Sequence, residues 1–400
     1  MIKQYIKMGK YLWSYLFLVI LIPCCVGPED GFERFNFSVE KTMSFETEIY
    51  SIDDVEFGAF HDSLVYGLDM VRSVVHKFDT KGKLLAHNRF QDGINEIDLL
   101  VLGGVYPINK DSIFVIESGY DNLLLLGGDL KIKESWNIRK VTGSNIGIGG
   151  SNTQIVNFEY ILNEPHITLV ASDRNFRTSE KAFFENSFLA VKVNLNTGEF
   201  KPLFRYPIES PYREHLFWDS ESPYILYFES RYFVTFPMDP NIYIFREGTE
   251  DYEVIRYSGK LNKSGGRGVA FGMHQREFLD NHYLEVFHNQ NDYYLISNSL
   301  MQKAGHKYFV RVARRAINDK NFDYKDLNTF MIKHPGQEYI IQIIDLEKGE
   351  KGKIREYKLP KAYKNFLFID KDGKIYFSRK NDKSEGYFVD VVSWNGDILE

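Results

Sequence analysis

A polar corner recurs along this chain, and it restricts the fold more than any other feature. It stands at Lys77-Phe78-Asp79-Thr80-Lys81-Gly82-Lys83-Leu84, at Gly127-Gly128-Asp129-Leu130-Lys131 and at Asn194-Leu195-Asn196-Thr197-Gly198-Glu199. It returns at Arg246-Glu247-Gly248-Thr249-Glu250, at Asp345-Leu346-Glu347-Lys348-Gly349-Glu350 and at Trp394-Asn395-Gly396-Asp397. Strand-like runs with period two surround these corners, among them Ser112–Ile116, Phe188–Val193, Tyr232–Phe236, Tyr339–Ile344 and Lys374–Ser378. Asp or Asn with Gly supplies the positive φ of a tight hairpin, so each corner turns one strand back as another. Most intervals lie near about fifty residues, and strand–turn–strand content repeated every roughly 40–50 residues marks propeller blades. A blade cannot bury its faces alone, so radial stacking must supply the core.

Six corners predict an all-β chain folded as a six-bladed β-propeller. The fourth and fifth corners stand much further apart than the others, which leaves room for a seventh blade or a long insertion within 259–337. The best helical candidate, Tyr308–Ala316, lies in that stretch. The last unit, Phe366–Leu399, has material for three strands. Phe35–Ile52, with alternating Phe45, Thr47 and Ile49, is expected to supply the fourth and close the ring, because an open ring leaves an exposed edge. The 26 Tyr and 32 Phe fit this reading, since rings fill the wedges between blades and suit pleated surfaces.

The first thirty residues obey a different logic. Lys3, Lys7 and Lys10 precede the apolar block Tyr11–Ile22. That block is shorter than the roughly 20 residues that span a bilayer core, so it reads as a signal-peptide h-region. Leu21-Ile22-Pro23-Cys24 resembles a bacterial lipobox, with Cys24 or Cys25 as the acylated residue. The expected organisation is a signal peptide over 1–24, a tether over 25–34 and one propeller over 35–400. These are the only two cysteines, so acylation of one precludes an internal disulfide and the domain must stand on its core. The expected partner through the lipid is a membrane, on either side of the outer membrane. A net charge of −6 argues against nucleic acid. Arg311, Arg314 and Arg315 read as a solvated basic cluster.

Asp69-Met70-Val71-Arg72-Ser73 followed by Val74–Leu85 resembles the blade core of NHL or TolB-like six-bladed propellers, where an Asp–x–x–Arg turn precedes a strand and an F-D-x-x-G-K corner follows it. Glu117–Leu123 through Lys131-Ile132 is a weaker copy, and later blades lack the Asp–x–x–Arg element. With the lipobox, the chain resembles the uncharacterised TolB-like propeller lipoproteins of Bacteroidota. The resemblance implies a binding platform more often than an enzyme.

In a propeller, the connections between second and third strands gather at one face. Here they are expected at Gly67–Ser73, Ser118–Asn122, Ser172–Asn186, Pro237–Asn241, Ser297–Gln337 and Arg379–Gly386. They carry Asp69, Arg72, Tyr120, Asp121, Asp173, Arg174, Arg177, Asp239 and Arg379 as ligand-binding candidates, a set suited to charged or hydroxyl-rich ligands. Asp69 and Arg72 also read as braces of their own turn. His274, His282 and His288 lack the H-E-x-x-H spacing of a zinc helix, and no metal or cofactor is expected. The glycine runs Gly147–Gly150 and Gly265–Gly268 have no convincing helix after them and read as turns rather than phosphate cradles. The function expected is a lipid-anchored envelope module that binds a protein, peptide or glycan. The alternatives are a glycan lyase or hydrolase using loop carboxylates, His or Tyr at the channel mouth, and a purely structural envelope protein.

Overall fold

A computed structural model describes residues 32–45, 55–61, 64–69, 73–90, 102–148, 154–217, 221–257, 259, 268–274, 276–277, 294–315, 338–347, 354–370, 372–379 and 387–396. The chain divides into a unit Met1–Arg34 and a unit Phe35–Glu400. In the first, Glu33–Arg34 is extended. The second is a six-bladed β-propeller.

Each blade is built on four antiparallel strands, which in blades 1 to 5 follow chain order. Blade 1 comprises Val55–His61, Leu64–Asp69, Val74–Asp79 and Leu84–Arg89; blade 2 comprises Leu102–Asn109, Ser112–Glu117, Asn122–Gly127 and Ile132–Asn137. Blade 3 comprises Ile155–Ile161, Glu164–Val170, Phe188–Asn194 and Phe200–Arg205; blade 4 comprises Tyr224–Phe228, Arg231–Phe236, Asp239–Arg246 and Tyr252–Ile255. Blade 5 has Tyr294–Lys303, His306–Arg315, Glu338–Asp345 and Ile354–Lys358 in the same order. Blade 6 takes Tyr363–Ile369, Ile375–Arg379 and Tyr387–Trp394 from the end of the chain and Phe37–Phe45 from its start. That fourth strand pairs antiparallel with Tyr387–Trp394, from Phe37 opposite Trp394 to Phe45 opposite Tyr387. The first strand of every blade touches the first strand of the next, and Tyr363–Ile369 completes the cycle against Val55–His61.

All six corners lie at the end of a third strand, one per blade. At the blade 1 corner the Asp79 carboxylate accepts the Lys81 and Lys83 amides at 2.8 and 3.0 Å, and Gly82 takes φ +88°. At the blade 3 corner Asn194 Oδ1 accepts the Asn196 and Thr197 amides, and Gly198 takes φ +75°. The sixth corner follows Trp394, and the strand after it is the N-terminal one. The wide interval before the fifth corner holds the first two strands of blade 5. The stretch with the best helical periodicity, Tyr308–Ala316, is strand over His306–Arg315, because alternate residues there face opposite neighbouring blades. The α-helices among the described residues are short, Ile138–Thr142 and Lys181–Asn186, and none is long and apolar enough to cross a membrane.

The core is a series of wedges between blades. In blade 2, Ile113 and Val115 pack with Tyr66, Leu68 and Val75 of blade 1, while Phe114 and Ile116 pack with Ile167, Leu169 and Val191 of blade 3. In blade 5, Phe309 and Ile344 meet Phe233 and Ile242 of blade 4, and Tyr308 and Val310 meet Phe377 and Trp394 of blade 6. A middle strand therefore buries both faces and reads as a continuous apolar run. Phe45 of the closing strand meets Phe78 of blade 1 edge to face, with ring centroids 5.1 Å apart.

Candidate functional site

The two ends of the blades differ in kind. Turns between first and second strands are tight: Leu162-Asn163, Glu229-Ser230 and Ala304-Gly305 each have positive φ at both residues, as in type I′ hairpins. The opposite end carries the connections between second and third strands and those between blades, including the described residues 138–148, 171–187 and 206–217. Long connections on a rigid scaffold are where binding side chains are usually placed.

At that end, between blades 2 and 3, one buried carboxylate gathers two arginines. Asp121 occupies the turn after the second strand of blade 2, in the left-handed region at φ +59°, with its side chain 2 % exposed. Its Oδ1 accepts the Ile148 amide at 2.9 Å and Arg174 Nη2 at 2.8 Å. Its Oδ2 lies 3.1 Å from Arg139 Nε. The guanidinium side chains remain 41 % and 34 % exposed for Arg139 and Arg174. Arg139 comes from the helix that starts where blade 2 ends, capped by the Asn137 side chain on the Lys140 amide. Arg174 follows a two-residue ladder in which Ile146 faces Asp173 and Gly147 faces Ser172. A Cβ at Gly147 would stand 2.1 Å from Arg174 Nε, so this glycine admits the guanidinium. Tyr120, 52 % exposed, precedes Asp121 in the same turn. That turn is held from beneath by the buried Glu117, whose carboxylate accepts the Gly119 and Tyr120 amides and Asn122 Nδ2. Burial raises the Glu117 carboxyl above its ordinary range despite those donors. Two part-exposed guanidiniums thus share the one carboxylate of Asp121 beside an aromatic ring, with the Glu117 and Asp173 carboxyls close by. Such a set suits a carboxylate or another planar anion.

Among the sequence candidates, Tyr120, Asp121 and Arg174 thus converge. Asp173 lines a cavity of about 360 Å³ beside them, together with Asn145, Asn175, Asn186, Phe188 and Arg205. Arg177 is exposed further along the same connection. The remaining candidates lie apart. Asp239 is buried between strands of blade 4, where it accepts the Tyr243 hydroxyl at 2.6 Å and the Asn241 amide at 3.0 Å. Arg379 grips the fully buried Asp390 with Nε and Nη2 in blade 6. Asp390 also accepts the Tyr363 and Thr42 hydroxyls, each at 2.6 Å. Burial alone would raise the Asp390 carboxyl, but those donors outweigh it and hold it below its usual range. Asp69 is buried at the end of a blade 1 strand, opposite Val74. Arg72, Cys24 and Cys25 lie outside the described residues.

Two arginines were placed differently by the sequence. Arg311, read as part of a solvated cluster, is 0 % exposed and donates to Gln342 Oε1 and to the Pro240 carbonyl, each at 2.6 Å. Gln342 in turn donates to Glu356, which also accepts the Tyr257 hydroxyl. On a strand, Arg311 alternates inward with Val310 and Val312 turned the other way, which no charge count reveals. Arg139 escaped the candidate set because it sits in a connection between blades. Its only sequence signal is Asn137 before a short run with Gly143 after it, the signature of a capped helix.

No family model matches the chain, and no curated protein does. Solved structures do resemble it. A member of the DUF4221 family from Bacteroides vulgatus is 14 % identical, with a TM-score of 0.60 over 90 % of this chain and 98 % of that one. A candidate exported protein from Bacteroides fragilis is 12 % identical, with a TM-score of 0.48 over 91 % and 99 %. A streptogramin B lyase is 12 % identical, with a TM-score of 0.41 over 88 % and 98 %. The first shares the propeller fold, and the other two are too distant to carry an argument.

Proposed function

We propose that this chain is a lipid-anchored envelope protein of the TolB-like or NHL-like propeller kind, held through Cys24 or Cys25, whose long-connection face binds an acidic group of a protein, peptide or glycan. The observation that carries the ligand reading is the pair Arg139 and Arg174, ordered on buried Asp121 yet half open to solvent beside Tyr120. The apolar block Tyr11–Ile22 followed by Cys24-Cys25 supports export and acylation.

The full chain, isolated from membranes, is to be screened against arrays of carboxylated glycans and acidic peptides, alongside an Arg139→Ala/Arg174→Ala variant. Retention on acidic probes that falls at least tenfold in the variant, with unchanged melting, is the expected result. Equal retention by both chains, or catalytic turnover of a probe that Asp121→Asn abolishes, would overturn the binding-module reading. Metabolic labelling with an alkynyl fatty acid, lost on replacing Cys24 and Cys25, checks the anchor.

A further inference from the structure

A thin wall separates the arginine pair from the cavity of about 360 Å³. That wall is the ladder in which Ile146 faces Asp173 and Gly147 faces Ser172. Successive residues of a strand turn to opposite sides. Ile146 and Asp173 accordingly line the cavity, while Arg174 lies over Gly147 and reaches Asp121. The volume falls within the roughly 300–1,000 Å³ usual for small-ligand sites.

The amides of the lining leave more acceptors open than donors. Asn145 Nδ2 donates to Asn175 Oδ1 at 3.0 Å, so this exposed pair keeps Asn145 Oδ1 as an acceptor and Asn175 Nδ2 as a donor. Adjacent hydroxyls, each able to donate and to accept, match that combination. Asn186 donates to the Ala182 carbonyl and keeps its Oδ1, and Asp173 accepts the Asn175 amide on Oδ1 and keeps its Oδ2. Acceptors of this kind disfavour an anion and favour hydroxyl groups. Arg205 and Glu250 add one charge of each sign. The rest of the lining is largely apolar: Phe188, Phe200 and Leu203 are half-buried in blade 3 and also border the cavity. Aromatic ring faces carry partial negative charge and attract the polarised C–H face of a sugar.

A peptide fits less well. The strand Phe200–Arg205 is an outer edge of blade 3, where an extended chain would add by pairing along the ladder. Pro202 has no N–H to offer, and Phe204 stands at φ +56°, a backbone that a bulky residue adopts only under strain. The edge is thereby blunted, and strain of this kind tends to mark functional sites.

We propose that this cavity seats a neutral sugar ring of a glycan, with Asn145 and Asn175 taking two adjacent hydroxyls and Phe188 and Phe200 meeting its C–H face. The site goes beyond the acid-binding role proposed for Arg139 and Arg174 and does not depend on it.

The test is saturation-transfer NMR on the full chain with three neutral disaccharides: cellobiose, lactose and N,N′-diacetylchitobiose. At least one should receive saturation. Its Kd should rise at least tenfold in Asn145→Ala/Asn175→Ala and change less than twofold in Arg139→Ala/Arg174→Ala. Asn186→Ala, which should weaken the same sugar at least threefold, is the independent variant if the double one melts early. No saturation of any of the three sugars, binding that ignores the asparagine variants, or binding lost with the arginines would overturn the proposal. Displacement of the sugar by tetra-alanine would also overturn it, since the cavity would then belong to an extended peptide. Retention of acidic probes by the arginine pair is read separately and stands or falls without this cavity.

Discussion

Gly82 lies beneath the Ser44 carbonyl, so close that a Cβ on it would stand 2.1 Å from that oxygen. This is where the closing strand of blade 6 rests on the corner of blade 1. The contact recurs between blades 2 and 3, where a Cβ on Gly198 would stand 2.0 Å from the Val141 carbonyl oxygen. Gly248 has the same backbone at φ +85° and nothing within 4 Å. Gly248→Ala should therefore cost only the left-handed backbone term, about 1–2 kcal/mol. Gly82→Ala adds overpacking of about 1–3 kcal/mol and should unfold at clearly lower urea. Equal midpoints for the two variants would refute the account of the corner.

Removing Asp121 strands two guanidinium groups and the Ile148 amide. Because both arginines are part-exposed, solvent absorbs much of the loss, and Asp121→Ala should cost about 2 kcal/mol rather than the 3–5 of a fully buried pair. Asp121→Asn keeps the acceptor for the amide and tolerates φ +59°, so it should cost roughly half as much. Chemical denaturation of the three chains side by side checks the order.

His76 is buried in blade 1, stacked at 5.9 Å on Phe78 and opposite His87. Burial, with the nearby His87 charge, pushes its pKa down to about 4, against a smaller opposing pull from Asp69. The unfolded chain thus takes up a proton near pH 6.5 that the fold refuses until about pH 4. Stability from this group is complete above pH 6.5 and falls as pH drops towards 4, by roughly 3 kcal/mol at most. His76→Phe should flatten that limb of the stability–pH curve. An unchanged slope would show that other groups govern it.

Tyr363 donates to Asp390, and Arg379 and Thr42 share that carboxylate. Tyr363→Phe should cost about 1–2 kcal/mol, since the bond is to a charged acceptor. Asp390 titrates below its usual range in the fold, so the penalty belongs to neutral pH and shrinks as pH falls through its folded pKa. Melting curves at pH 7 and in strong acid distinguish this from a simple packing defect.

Leu162→Asn replaces an exposed left-handed leucine with a residue that accepts that backbone. Thermal unfolding should reveal a gain of about 1 kcal/mol. A loss would mean that the leucine packs against something the isolated chain already contains.

The blade count was legible because turn chemistry is local: Asp or Asn with Gly announces a third-strand corner whatever the strand contains. The closing role expected of Phe35–Ile52 followed from counting three strands in the last unit; it is seen over Phe37–Phe45, and residues 46–52, with Thr47 and Ile49, lie outside the described residues. Less was legible where one pattern serves two structures. The apolar spacing of Tyr308–Ala316 fits a helix face, yet a strand buried on both sides produces it as readily. Tyr120, Asp121 and Arg174 came from loop position alone, and Arg139 needed the fold, because only the folded chain brings its guanidinium onto Asp121. The inward Arg311 was hidden for the same reason: only the register beside Gln342 turns it into the interior.

The closing strand has a consequence for how the molecule is made. Phe37–Phe45 emerges from the ribosome before every other blade strand, but its partner, Tyr387–Trp394, emerges after all of them. Throughout synthesis the nine-residue edge waits without a mate, and an unmated edge invites pairing with other chains. Five blades can stack as they appear, but the sixth cannot exist until Tyr387–Trp394 is free. Loss of even a few C-terminal residues before Trp394 should therefore forfeit the whole ring, whereas a shortened long connection should be borne locally.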